Sequence, residues 1–131
     1  MNPKILVAVG IVLVAGIIIY SVLTLFAGEK EYHSVLPEEF YRMMQNEDVF
    51  VIDVHIPEQK HIPGTDAWIP YNKIESSEDL LPKDKSTKIL VYCRSGFMSK
   101  IAASKLTEMG YKNVYELDGG VIAWKQAGYE I

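Results

Sequence analysis

Lys88-Ile89-Leu90-Val91-Tyr92-Cys93-Arg94-Ser95-Gly96-Phe97-Met98-Ser99 is the stretch on which the reading of this chain turns. Lys88 to Tyr92 is apolar, carries β-branched residues and is too short for a helix, which predicts a strand. Ser99 to Met109 reads as a helix. Cys93 therefore falls at the C-terminal end of a strand, in a tight loop that feeds a helix N-terminus. Ligands of open α/β sheets bind at such strand ends. Inward-pointing loop N–H groups and the helix dipole favour a thiolate over a thiol. The thiolate is the nucleophile. A buried cysteine packed as a small hydrophobe fits the local sequence equally well, so the flanking segments have to decide.

Upstream, Glu31 to Val35 reads as a first strand. Pro37 suits a first helical position, where its missing N–H costs nothing, and Glu38 and Glu39 complement the dipole there. Phe40, Met43 and Met44 then form an apolar stripe that faces a core. Val49 to Ile52 is an uninterrupted apolar run, as in a strand covered on both faces. It ends in Asp53-Val54-His55. A carboxylate at the end of a buried strand must find donors: Asp53 either fixes the turn through loop amides or lends its charge to the site. His55 either binds or caps the loop. Ile56 to Pro70 is loop-like, with a turn at His61-Ile62-Pro63-Gly64 and a short edge strand near Ala67 to Pro70. Ser76 to Leu81 opens like a helix, and Pro82 stops it.

Downstream, Ala102, Leu106 and Met109 share a helical stripe closed by Gly110. Asn113 to Leu117 alternates as a strand does. Gly119-Gly120 breaks into a last helix, Val121 to Ala127, in which Trp124 reads as a core anchor. Strands alternating with helices over short connections predict an α/β fold, a parallel sheet with helices on both faces.

Ile5 to Ala27 is a different kind of segment: 23 residues without a charge. As a helix it covers roughly 34 Å, enough to cross a hydrocarbon core of about 30 Å. Its apolar run is longer than that of a signal peptide, and Leu25 fits the small-residue cleavage pattern poorly. Residues 1–28 are therefore expected to be an uncleaved single-pass membrane anchor, with residues 29–131 as the folded domain. Lys4 precedes the span; Lys30 and Arg42 follow it. The balance favours a domain outside the cytoplasm. A secreted or periplasmic product after signal cleavage is the alternative.

All 17 acids and every Lys or Arg except Lys4 lie beyond this segment, with the signs interspersed. No basic block points to nucleic acid. One cysteine forms no intramolecular disulfide and no structural zinc site. His33, His55 and His61 do not have metal-ligand spacing. No metal or cofactor is expected.

Four segments in register resemble the rhodanese domain: Val51 to His55, His61 to Gly64, Cys93 to Ser99, and Leu117-Asp118-Gly119-Gly120-Val121-Ile122-Ala123-Trp124. The resemblance covers about residues 31–131. It implies a five-stranded parallel α/β domain whose Cys93 carries a sulfane sulfur as a persulfide. It also implies a small sulfur donor, such as thiosulfate or a persulfide, and a thiol or cyanide-like acceptor. The covalent chemistry demands stabilised anionic sulfur. N–H groups from Arg94 to Ser99 would supply it at the helix N-terminus, with Gly96 letting the backbone curl close. Ser95 and Ser99 are candidate hydroxyl donors, although Ser99 also reads as a helix N-cap. Arg94 either guides an anionic donor or lies in solvent.

Two positions depart from the family pattern: His55 and Met98 stand where arginine is common. Phe97 and Met98 together predict an apolar loop rim, weaker retention of thiosulfate and a hydrophobic or protein-bound persulfide as alternative donor. Two rival functions remain at this level. A phosphatase or arsenate reductase needs a guanidinium late in the cysteine loop, and no arginine follows Arg94. A non-catalytic module that binds a partner at the membrane would normally have lost the cysteine.

Overall fold

The computed structural model describes residues 1–26, 32–46 and 48–131. Ala27 of the expected span and Glu31 of the expected first strand lie outside these residues. The first element, α1 (Pro3–Phe26), is a 24-residue apolar helix with no buried residue. It is long and apolar enough to cross a membrane. The sheet then builds from β1 (Tyr32–Val35), β2 (Val49–Asp53), β3 (Ala67–Trp68), β4 (Lys88–Tyr92) and β5 (Asn113–Leu117). The strands are all parallel, in the order β1-β5-β4-β2-β3. The expected five-stranded parallel sheet is present, and the proline-flanked segment at Ala67 is its edge strand.

Three helices cover the sheet: α2 (Pro37–Asn46), α3 (Phe97–Glu108) and α4 (Gly120–Gln126). The period of two along each strand divides the core. On one face Ile89, Val91 and Cys93 of the β4 segment pack with Ile52, Val54 and Val114 under Ala102, Ala103 and Leu106 of α3. On the other, Leu90 and Tyr92 pack with Val51 and Leu117 under Phe40 and Met43 of α2 and Val121 and Trp124 of α4. Trp124 is the expected anchor: Phe40 meets its ring edge-on, and its indole N–H donates to the Glu130 carbonyl at 2.9 Å.

Two expectations need correction. Glu75–Leu80 is a pair of 3-10 turns broken at Ser77, where φ is −113° and ψ is 26°, and not an α-helix. Its apolar anchors, Ile74 and Leu81, flank the segment and enter the core from either end, while Leu80 is exposed. A helix there has no apolar stripe to bury. The second correction concerns α3, which starts at Phe97, with Gly96 as N-cap at φ +102°. Ser99 is therefore inside the first turn and is not the cap.

Candidate active site

The central strand β4 delivers Cys93 to the C-terminal edge of the sheet, where the loops after β2, β4 and β5 meet. Cys93 is 1% exposed. The Gly96 N–H donates to its Sγ at 3.1 Å, and the Ser99 N–H at 3.3 Å. The Ser99 Oγ lies 3.5 Å from the sulfur. Two backbone dipoles thus converge on one sulfur at the start of α3, an arrangement that accommodates negative charge there. The fold makes this possible through Gly96, whose positive φ turns the chain back over the cysteine.

A second glycine holds the loop from below. Gly120 has φ +58°, and a Cβ there would lie 2.5 Å from the Cys93 carbonyl oxygen and from the Arg94 carbonyl carbon. The Val121 and Ile122 N–H groups donate to the carbonyls of Cys93 and Arg94, both at 3.0 Å. The start of α4 therefore grips the backbone of the cysteine loop from the opposite side to α3.

The β2 loop forms the adjoining wall. Asp53 is fully buried and accepts the His55 N–H at 3.0 Å, the Gln59 side chain at 3.3 Å and the His61 ring at 2.8 Å. The strand-end carboxylate has found its donors, and it organises residues 53–61. The other His61 nitrogen pairs with Glu58 at 2.8 Å. Burial pulls the His61 pKa down, but the hydrogen bonds and charges of Asp53 and Glu58 outweigh it and raise the value above the usual 6.5. A raised folded-state pKa means that the native state holds this proton more tightly than the unfolded chain does. The stabilisation is complete below pH 6.5 and disappears as pH rises through the folded-state value. Melting temperature should therefore decline over that rise, and His61→Gln should remove this part of the decline. Superimposable pH profiles would contradict the assignment.

Between this wall and α4 lies a cleft of about 400 Å³, lined by His55, Pro57, Lys60, Arg94, Ile122 and Lys125 among others. Arg94 is exposed and lines this cleft. His55 turns its Nδ1–H to the Pro57 carbonyl at 2.7 Å, so it caps the loop and lines the cleft as well. Among the described residues no ion pair ties up Lys60, Arg94 or Lys125. Ser95 is exposed. The expected apolar rim is only half present. Phe97 is 72% exposed, but Met98 turns inward, packs against the α3-side core and accepts the Ile56 N–H at 3.5 Å.

A family model described as Rhodanese-like domain matches residues 36–127. The chain belongs to the rhodanese family. This rhodanese is 34% identical over 88 residues to the thiosulfate sulfurtransferase GlpE of Pseudoalteromonas translucida, covering 65% of this chain and 81% of that protein. It is 36% identical over 93 residues to a sulfurtransferase of Allochromatium vinosum, covering 69% and 84%. A rhodanese homolog from Thermus thermophilus shares the fold at a TM-score of 0.58 and 32% identity, covering 70% of this chain and 99% of that one. A rhodanese-related protein from Thermoplasma volcanium, at 24% identity, shows the same fold with a TM-score of 0.65 over 76% and 96% of the two chains.

Sequence reading missed one participant near the sulfur, Glu116. It is fully buried, sits beside Val91 in the β4–β5 register and receives the Ser99 hydroxyl at 2.9 Å. Its signal was the alternation of β5, in which Val114 and Glu116 share the face that holds Cys93.

Proposed function

We propose that this rhodanese is a membrane-anchored sulfurtransferase that moves a sulfane sulfur through a persulfide on Cys93. The observation that carries the reading is the pair of N–H groups, from Gly96 and Ser99, aimed at a buried sulfur at a strand end. The Cys93 thiolate attacks the outer sulfur of a donor such as thiosulfate. An S–S bond forms on the enzyme, the donor's S–S bond breaks, and sulfite departs with the electron pair. The attacking thiolate is anionic, and the two N–H dipoles at Cys93 Sγ offset that charge. An acceptor thiolate or cyanide then attacks this outer sulfur and returns the Cys93 thiolate, a two-step covalent cycle. The names of the relatives from Pseudoalteromonas translucida and Allochromatium vinosum support the same chemistry.

Three cations against one side-chain carboxylate, Glu58, which His61 engages, favour an anionic donor in the cleft. His55 and Met98 occupy positions where the family often has arginine, but Lys60, Arg94 and Lys125 supply positive charge along the same approach. Cations around a concave surface raise the local concentration of an anion. Arg94→Gln and Lys125→Gln should each raise KM for thiosulfate about threefold to tenfold, with less change in kcat. The wild-type KM should rise with ionic strength. A KM insensitive to both substitutions and to salt would favour an uncharged or protein-bound persulfide as donor.

Domain and membrane arrangement follow the same reading. Residues 1–28 hold the domain, residues 29–131, at a membrane surface through the apolar helix Pro3–Phe26, with the domain outside the cytoplasm. Asp53 and His55 shape the wall of the cleft. The decisive assay is turnover by the full chain in detergent: thiocyanate formation from thiosulfate and cyanide. Phosphate release from an aryl phosphate, without sulfur transfer, would overturn the reading in favour of a phosphatase. Absence of both activities would leave a partner-binding module.

A further inference from the structure

The Ser99 hydroxyl has one proton and three neighbours that compete for it. Glu116 Oε2 is at 2.9 Å, the Gly96 carbonyl at 3.1 Å and the Cys93 sulfur at 3.5 Å. A carboxylate is the strongest acceptor of the three and also the nearest. The proton therefore goes to Glu116, and Ser99 turns an oxygen lone pair toward the sulfur. This is the reverse of the hydroxyl-donor role expected from sequence. We propose that Glu116 is a positioning residue for the active site: it claims the Ser99 proton, so that Ser99 presents an oxygen lone pair, and not a proton, to the Cys93 sulfur.

The surroundings fix how Glu116 is held. Its Oε1 accepts from the Ser34 hydroxyl of β1 and from the Lys100 ammonium of α3 at 3.1 Å. Lys100 also reaches Asp118 at 3.4 Å. Burial lowers the Lys100 pKa, but the hydrogen bond and charge of Glu116, with Asp118, reverse the effect and raise it. Lys100, Glu116 and Asp118 are thus the charged groups facing this side of the cysteine. Asp53 and His61 lie with Tyr92 toward the opposite face, His33 meets the Tyr115 ring at a tilt, and Arg94 lines the cleft. The cradle has two characters. Two N–H groups suit a persulfide or thiolate, and one oxygen lone pair suits the S–H.

The same geometry dictates what Glu116→Gln does. Lys100 can only donate, so the new amide carbonyl must take the Oε1 position and the amide NH₂ must face Ser99. Ser99 then accepts from that NH₂, and its own proton is released toward the sulfur or the Gly96 carbonyl. A hydrogen bond donated to the thiolate lowers the pH at which it forms.

This role deepens the sulfurtransferase reading and rests on Cys93 as its working thiol. Its test uses no sulfur donor, so a failure of sulfur transfer and a failure of this role are separately visible. The rate of iodoacetamide alkylation of the full chain in detergent is followed against pH; Cys93 is the sole thiol. Glu116→Gln should lower the midpoint by about one pH unit. Ser99→Ala, which leaves the backbone donors in place, should not raise the midpoint. Glu116→Gln added to Ser99→Ala should shift it clearly less than Glu116→Gln does alone, because only the direct charge effect is left. A midpoint raised by Ser99→Ala would mean that Ser99 donates to the sulfur, and the proposal would be wrong. A Glu116→Gln shift that is undiminished without Ser99 would make Glu116 solely a direct electrostatic influence and would overturn it as well. If Glu116→Gln fails to fold, Ser99→Ala alone still decides the sign.

Discussion

Cys93→Ser should lose sulfur transfer by about a thousandfold or more while leaving the fold intact. The hydroxyl is close in size to the thiol and can accept from the same Gly96 and Ser99 N–H groups, now at 3.1 and 3.3 Å from sulfur. Melting temperature should therefore move by only a few degrees. The chemistry has no such substitute. An alcohol is scarcely ionised near neutral pH, and oxygen does not carry a transferable sulfur atom through the cycle. The measurement is thiocyanate formation at saturating thiosulfate and cyanide, with a thermal melt of the same preparation. A variant that retains a tenth of the wild-type rate would place the chemistry elsewhere.

Gly120→Ala is the second large effect, and it acts without touching the sulfur. The added Cβ would lie 2.5 Å from the Cys93 carbonyl oxygen and 2.6 Å from that of Arg94. These are backbone atoms, so relief requires moving either the cysteine loop or the start of α4. Overpacking costs about 1–3 kcal/mol, and a left-handed alanine adds about 1 kcal/mol. The melting temperature should fall by about 10–20 °C. An ångström of loop displacement also misaligns the two N–H donors, and a hundredfold loss of kcat is about what such misplacement costs. Gly128→Ala is the matched control. Its φ is +91°, yet a Cβ there meets nothing within 4 Å. It should show only the backbone cost, with activity unchanged. Equal behaviour of the two variants would mean that α4 does not brace the loop.

Much of the fold was legible because it follows from local patterns. The run Lys88 to Tyr92, the loop and the following helical stripe place Cys93 at a strand end without reference to the rest of the chain. Asp53 was legible as a buried strand-end acid in need of donors; that His61 would be one of them was not, because the intervening turn sets it. Met98 was misplaced on the rim. The direction of a first-turn side chain after a left-handed Gly96 is decided by packing against Ile56 and the α3-side core. Glu116 shows the same limit from the other side. Alternation pointed it inward, but its partners Ser34, Lys100 and Ser99 come from two other elements, one of them 82 residues away in sequence. A buried acid in a strand is intelligible only when those partners are in view.

Whether Cys93 carries the sulfur is read from the intact mass of the full chain after exposure to thiosulfate or a small persulfide. A persulfide there predicts a gain of about 32 Da located on Cys93, lost on addition of cyanide and absent from Cys93→Ser. An unchanged mass under conditions in which thiocyanate accumulates would contradict a Cys93 persulfide as the carrier of the sulfur.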